Sequence, residues 1–99
     1  MAVKGRQLQL TPLAELDLED IWRYTAEHWS LARADHYHRD LIATMEALAH
    51  GEKVGQACAV REGDFRYAVS SHVVFYRETD DTLDVIRILH QRMDIERHL

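Results

Sequence analysis

The sequence has few residues that cross-link or interrupt a chain: one cysteine, one proline and four glycines in 99 residues. A lone Cys58 excludes an internal disulfide and is typical of a reducing compartment. No apolar run approaches the roughly 20 residues of a membrane-spanning helix, and the start, MAVKGRQLQL, lacks the apolar core of a secretory signal. We therefore expect one cytoplasmic domain covering residues 1–99.

Basic residues are also fewer than acidic residues in this sequence. The net charge of −5 is opposite in sign to that of proteins that bind nucleic acid through its phosphates. The chain has no glycine-rich phosphate loop and no nucleophile motif. Its seven histidines lack HxxxH spacing and a Cys/His partner set. We therefore expect neither a metal nor a cofactor.

The last third of the chain carries the strongest pattern. Runs rich in Val, Ile, Phe and Tyr, separated by short polar clusters, predict a three-stranded antiparallel meander. The predicted strands are Phe65 to Val69, Val73 to Tyr76 and Leu83 to Leu89. Loops of two and four residues would pair Arg66 with Phe75 and Arg77 with Asp84, and the opposite charges of the second pair favour this register.

In this register both faces of the sheet are apolar. One face carries Ala68, Val73, Phe75, Ile86 and Ile88, and the other carries Phe65, Tyr67, Val69, Val74, Tyr76, Val85 and Leu89. An antiparallel sheet with one side in water alternates apolar and polar residues, so two apolar faces indicate two covers. We expect the chain to supply one cover and a partner to supply the other.

The upstream residues predict one short strand and two helices. Arg6 to Leu10 alternates polar and apolar residues, as a half-buried strand does. Thr11 and Pro12 predict the start of a helix that runs to about His28, and Ser30 predicts the cap of a second helix that ends at His50. The predicted fold is α+β, a helix hairpin packed on a three- to four-stranded antiparallel sheet in the order β-α-α-β-β-β.

Two groups of side chains are candidates for chemistry. Arg66, Arg87 and His90 could orient a phosphodiester and move a proton, as metal-free RNA cleavage requires, but the expected register puts Arg87 on the face opposite to the other two. Their alternative role is structural, with the arginines paired to nearby acids. The acidic run from Glu15 to Asp20 is interpreted as a solvated face that complements the helix dipole.

Four stretches of the sequence resemble the ParE toxins of the RelE/ParE superfamily of bacterial toxin–antitoxin systems. They are LTPLAELDLEDIWRYTAEHW, ADHYHRDL, FRYAVSSHVVFYRE and IRILHQRMDIERHL, and together they span most of the chain in the order of the family. The chain departs from the usual ParE pattern at Gln56 and Ser71, where basic residues are common. These departures leave open a weakened toxin that keeps only its affinity for an antitoxin.

The resemblance implies a non-enzymatic toxin that inhibits DNA gyrase by binding and serves in plasmid stabilisation. It also implies a ParD-like antitoxin that wraps over the toxin, and we expect no direct DNA binding by the toxin alone. The expected antitoxin contacts are Trp22, Trp29, Tyr37, Leu41, Tyr67 and Tyr76, and the expected target contacts are Arg87, His90, Arg92, Met93 and Arg97. The alternative is the ribosome-dependent mRNA endonuclease of related toxins, with Arg66, Arg87 and His90 as its catalytic residues.

Overall fold

The computed structural model describes residues 5–93, which form two helices and five strands. The elements in chain order are β1 (Gln7–Leu10), α1 (Pro12–His28), α2 (Leu31–Ala49), β2 (Gln56–Ala57), β3 (Phe65–Val69), β4 (His72–Glu78) and β5 (Thr82–His90). Neither helix in this part of the chain has the length and apolarity that crossing a bilayer requires. The helix hairpin packs on one sheet, so the predicted α+β fold is confirmed.

Both helices begin at the predicted caps. The Thr11 hydroxyl accepts a hydrogen bond from the Ala14 N–H, and the Ser30 hydroxyl accepts one from the Arg33 N–H. Each bond satisfies a backbone donor that has no partner within its own helix. Gly51, with φ of +79°, lies just after the second helix, where glycine is favoured because it has no Cβ.

The sheet has five strands in the order β1-β5-β4-β3-β2, and it is mixed rather than purely antiparallel. β1 runs parallel to β5, with Leu8 beside Leu83 and Leu10 beside Val85. The two-residue β2 adds an antiparallel edge to β3. The expectation of three to four antiparallel strands is therefore corrected. The alternation of polar and apolar residues in β1 predicts a strand, but it does not indicate which distant strand β1 pairs with or in which direction.

The main core lies between the helix hairpin and one side of the sheet, here called the helix face. Its fully or nearly fully buried members are Ala14, Leu18, Leu41, Met45, Leu48, Ala49, Val74, Tyr76, Leu83, Val85 and Ile88. Phe65, Tyr67 and Val69 pack against this cluster from β3. Apolar residues at helical spacing predict a buried stripe on each helix, from Ala14 to Trp29 on the first and from Ala34 to Leu48 on the second. Leu41, Met45 and Leu48 of the second stripe are buried, whereas Trp29, the last member of the first, is 66% exposed.

A β-bulge changes the predicted faces of β5. The predicted pairs of Arg66 with Phe75 and of Arg77 with Asp84 are present. Phe75 nevertheless pairs with Arg87, because Ile86 is an extra residue in the ladder. The Thr11 hydroxyl donates to the Ile86 carbonyl over 2.8 Å and so satisfies the carbonyl at the bulge.

The bulge reverses the faces assigned to the end of β5. Ile88 joins the helix face, and Leu89 lies with Val73 and Phe75 on the opposite side, the outer face. These three outer-face residues are at most 2% exposed, and Cys58 completes their cluster from the segment after β2. The chain itself therefore buries Val73, Phe75 and Leu89, which corrects the expectation that a partner covers these residues, whereas Ala68 on the same face is exposed.

The Asp17 side chain links α1 to β5, at the part of the β5 edge that β1 does not cover. Its carboxylate accepts hydrogen bonds from Arg87 Nε at 2.8 Å, Arg87 Nη2 at 2.9 Å and the Ile88 N–H at 2.9 Å. The hydrogen bond to Asp17 raises the pKa of Arg87 above its usual range. Asp17 is thus an exception to the solvated face expected for the acidic run, and Arg87 has the structural pairing that was one of its two expected roles.

Candidate functional site

An open groove lies where the helix hairpin turns and where β4 and β5 meet, and we call it the hairpin-end groove. It has a volume of about 410 Å³. It is lined by Tyr24, Thr25, Trp29, Arg33, His36, Tyr37, Ser70, Ser71, His72 and His90. These residues come from the end of α1, the start of α2, the β3–β4 turn and the facing ends of β4 and β5. The groove therefore collects side chains that are far apart in the sequence.

Large aromatic side chains stand at the rim of the hairpin-end groove. Tyr24 is 60% exposed and Trp29 is 66% exposed, although burial of either ring would stabilise a core. The guanidinium carbon of Arg33 lies 4.6 Å from the centroid of the Trp29 ring, and the Tyr24 ring stacks on His28 at 3.9 Å. Exposed aromatic rings held in fixed positions by neighbours are typical of the anchors of protein interfaces.

A chain of hydrogen bonds forms the floor of the groove. Tyr37 Oη lies 3.0 Å from the Val69 carbonyl oxygen and 2.7 Å from His72 Nδ1. A carbonyl can only accept, so the hydroxyl donates to Val69 and His72 Nδ1–H donates to the hydroxyl. This arrangement leaves the lone pair of the His72 ring on Nε2 and fixes both rings against the β3–β4 turn.

The charge of the groove differs from that of the whole chain. None of its lining residues is acidic, and Arg33, His36, His72 and His90 can each carry positive charge. Burial, together with the positive charge of His90, lowers the pKa of His72 from 6.5 to about 4. His72 and His90 form a cross-strand pair with ring centroids 5.3 Å apart. At neutral pH His72 is therefore uncharged, and Arg33 places a permanent positive charge at the groove.

The structure separates the six predicted antitoxin contacts into four groups. Trp29 and Tyr37 line the hairpin-end groove. Tyr67 is half-buried on the helix face, where the ammonium group of Lys53 lies 5.5 Å from its ring. Leu41 and Tyr76 are 0% and 2% exposed. Both side chains are buried in the core and cannot contact a partner, so their prediction as partner contacts is corrected.

Trp22, the remaining predicted contact, lines a second groove. This acidic groove has a volume of about 640 Å³ and is lined by Leu10, Glu15, Leu18, Glu19, Trp22, Asp35 and His38. Trp22 is half-buried, and its Nε1–H donates to Asp35 Oδ1 over 2.9 Å. The two grooves therefore share no lining residue, and acidic side chains line only the second.

The predicted target contacts lie around the end of β5. His90 Nδ1 accepts from the Arg92 N–H at 3.1 Å, and the Met93 N–H donates to the His90 carbonyl at 2.9 Å. This turn leaves Arg92 exposed and Met93 43% exposed. Arg87 differs, because its guanidinium is only 17% exposed and is paired with Asp17. Arg97 lies outside the described residues.

The three residues of the alternative catalytic group have separate surroundings. Arg66 and Arg87 share one row of the sheet, because both pair with Phe75. The Arg66 guanidinium lies 5.8 Å from the Phe75 ring, and that of Arg87 is bonded to Asp17. His90 instead contacts His72 at the end of the sheet. The expected faces are therefore corrected: His90, not Arg87, is the member set apart, and the reason is the bulge at Ile86.

Within residues 5–93, no three His, Cys, Asp or Glu side chains are placed to hold a metal ion together. Sequence reasoning counted Tyr24 only among the aromatic side chains that could anchor a partner, and it missed Arg33 and His72 as groove residues. A helical pattern would have placed Tyr24 near His28, one turn later on the same side, but the pairing of His72 with Tyr37 depends on how the hairpin docks on the sheet. Residues that are close together in the sequence do not indicate how the hairpin docks.

Comparisons with known proteins place this fold and sequence among toxins. The profile of the family described as "ParE toxin of type II toxin-antitoxin system, parDE" matches residues 8–95. The chain is 40% identical over 92 residues to Toxin ParE1 of Mycobacterium tuberculosis (strain H37Rv), covering 91% of this chain and 94% of that protein. It is 41% identical over 92 residues to Toxin ParE1 of Caulobacter vibrioides, covering 92% and 95%.

Solved structures show the same fold at lower identity. The chromosomal ParDE system from P. aeruginosa superposes with a TM-score of 0.77 at 16% identity, covering 87% of this chain and 96% of that chain. The toxin–antitoxin complex RelBE2 from Mycobacterium tuberculosis superposes with a TM-score of 0.67 at 17% identity, covering 90% and 94%. At these identities the superpositions support the arrangement of helices and strands.

Proposed function

Because the chain belongs to the ParE toxin family of type II toxin–antitoxin systems, we propose that it inhibits DNA gyrase in the cytoplasm by binding, without cleaving a bond. We further propose that a cognate ParD-like antitoxin neutralises it. Support for a non-enzymatic mode comes from the side chains of the alternative catalytic group. Arg66, Arg87 and His90 are each committed to a different neighbour, so no common cleft presents them to RNA.

The exposed aromatic rim of the hairpin-end groove is the observation that carries the antitoxin proposal. Tyr24 and Trp29 together leave a large apolar area in water, next to the positively charged Arg33. A segment with an apolar side chain and an adjacent acidic side chain would complement both features. An antitoxin segment that is disordered when free would offset its ordering cost by burying these rings.

Trp29→Ala tests this contact directly. We expect the affinity of the purified toxin for its co-expressed antitoxin to fall by about 2 kcal/mol, or roughly 30-fold, if Trp29 is an interface anchor. The matched control is Leu13→Ala, which removes a side chain of similar exposure, 55%, from the other end of α1. Equal affinity of the two variants, measured by calorimetry, would contradict the assignment of the groove.

For the target surface we propose the turn after β5, where Arg92 and Met93 are exposed. His90 supports this turn through its ring nitrogen and its carbonyl. Arg92→Glu should relieve growth arrest on overexpression while leaving antitoxin binding unchanged, because the turn lies outside the aromatic rim. Reversing the charge at exposed Arg39 is the matched control. Growth arrest that persists in the Arg92 variant would remove this residue from the target surface.

A further inference from the structure

The strand β3 presents an open edge at Ala68. The Cys58 N–H donates to the Asp64 carbonyl over 2.8 Å, and Arg66 pairs with Gln56. Alternate residues of a strand direct their main-chain groups to opposite neighbours. Since Asp64 and Arg66 face β2, the N–H and C=O of Ala68 point the same way. β2 begins at Gln56, opposite Arg66, so it does not extend to Ala68.

Gly55 explains why the ladder stops there. Its N–H donates to Tyr76 Oη over 2.9 Å, and an added Cβ would lie 2.6 Å from the Arg66 carbonyl oxygen. The chain therefore passes close to both the Tyr76 hydroxyl and the Arg66 carbonyl at Gly55. Val54, which would oppose Ala68 if the register continued, is 82% exposed and lies outside the strand. The main-chain groups of Ala68 that point toward β2 therefore have no β2 residue beside them.

Two cavities adjoin the open edge: one includes Val69 of the helix face, and the other, called the outer cavity, includes Arg66 and Ala68 of the outer face. The cavity on the side of α2 has a volume of about 530 Å³ and is lined by Tyr37, Asp40, Ala43, Thr44, Lys53, Val69 and Ser70. The other has a volume of about 360 Å³ and is lined by Val54, Gly55, Gln56, Arg66, Tyr67 and Ala68. Successive side chains of an added strand point to alternate faces, so they would enter the two cavities in turn.

We propose that an extended segment of the antitoxin adds a strand to β3 at Ala68. This inference rests on the proposed function. The cavity beside α2 shares Tyr37 and Ser70 with the hairpin-end groove, so one segment can run from the aromatic rim onto the strand edge. Arg66 is the one charged residue among those lining the outer cavity, and an acidic side chain of the segment would complement it. Strand addition binds through main-chain hydrogen bonds, and the two cavities select the side chains.

Amide hydrogen exchange measured on the wild-type toxin and on its complex with the co-expressed antitoxin tests the proposal. We expect the Ala68 amide to exchange freely in the toxin alone and at least about tenfold more slowly in the complex, because a new partner then protects it. Ala68→Pro deletes the outward N–H at a position where an edge strand tolerates proline. It should weaken antitoxin binding about tenfold. Val60→Pro, which introduces the same residue in the exposed segment between β2 and β3, should bind like wild type.

The outcomes of these experiments distinguish a failure of strand addition from a failure of the proposed function. Tight antitoxin binding with unchanged exchange at Ala68 would overturn strand addition and leave the toxin assignment intact. Failure of wild-type toxin to bind the antitoxin at all would overturn the proposed function itself. Protection of Ala68 in the free toxin that grows with toxin concentration would show a second copy on the edge, and it too would overturn the proposal. If Ala68→Pro does not fold, the exchange measurement on wild type decides alone.

Discussion

The position of α1 on the sheet depends on the carboxylate of Asp17, and Asp17→Asn is the perturbation that tests this most sharply. The substitution keeps the size of the side chain but removes its charge. Asp17 accepts three hydrogen bonds, two from the Arg87 guanidinium and one from the Ile88 N–H. An asparagine can offer only its one oxygen to these donors, and its NH₂ group would meet at least one of them as a second donor.

The size of the effect follows from the burial of the pair. Removing one partner of a buried ion pair costs about 3–5 kcal/mol, because the other charge stays buried without compensation. The Arg87 and Asp17 side chains retain 17% and 12% of their exposure. Partial access of water reduces the cost, so we expect Asp17→Asn to lower the free energy of unfolding by about 2–3 kcal/mol. For a domain of this size that is a fall in melting temperature of about 10–20 °C.

Urea unfolding followed by circular dichroism gives the measurement, with Asp20→Asn as the matched control. Asp20 lies on the same helix, is 72% exposed and has Arg23 Nη1 at 3.5 Å. Its substitution should change stability by less than about 0.5 kcal/mol, as is usual for exposed pairs.

A double-mutant cycle separates the pair from its surroundings. Arg87→Met removes the opposite charge with a side chain that can still pack, so Asp17→Asn combined with Arg87→Met should be less destabilising than the sum of the two single changes. Additive losses, or an Asp17→Asn variant as stable as Asp20→Asn, would refute the view that this pair holds α1 on β5.

Two further variants test the groove floor and the open strand edge. His72 has a pKa of about 4 in the folded chain and 6.5 as its ordinary value, so the unfolded state binds more protons between these values and stability falls as pH decreases from 6.5 to 4. His72→Gln should flatten that part of the pH dependence in urea midpoints. Parallel curves for the wild type and this variant would contradict the assignment. Gly55→Ala places a Cβ against the Tyr76 hydroxyl and the Arg66 carbonyl, so the melting temperature should fall by an amount equivalent to about 1–3 kcal/mol. In the control, Gly5→Ala, the added Cβ meets only the movable side chain of His50, and an equal loss in both variants would show that the tight passage at Gly55 is not the cause.

Local signals in the sequence predicted much of the fold. Thr11 and Ser30 have the side chains that cap helices, and both caps are where they were expected. The short β3–β4 hairpin also gave the correct pairs, because a two-residue turn fixes the register of the strands that it joins. These features depend on residues close together in the chain.

The errors concern contacts between distant segments. The extra residue at Ile86 lies in a run of apolar residues with no glycine or proline to mark it, yet it moves Leu89 to the outer face. The role of Asp17 depends on Arg87, seventy positions later in the chain. Trp29 fits the helical stripe of α1 and is still exposed, because the hairpin turns before the sheet can cover it. Its exposure became visible only in three dimensions.

Supercoiling by purified DNA gyrase, measured at increasing concentrations of purified toxin, tests the central claim most directly. The account predicts that supercoiling falls as toxin saturates the enzyme, that prior addition of the antitoxin restores it, and that toxin added to a translating extract leaves mRNA intact. Unchanged gyrase activity at saturating toxin, together with mRNA cleavage that is lost in His90→Ala, would contradict it.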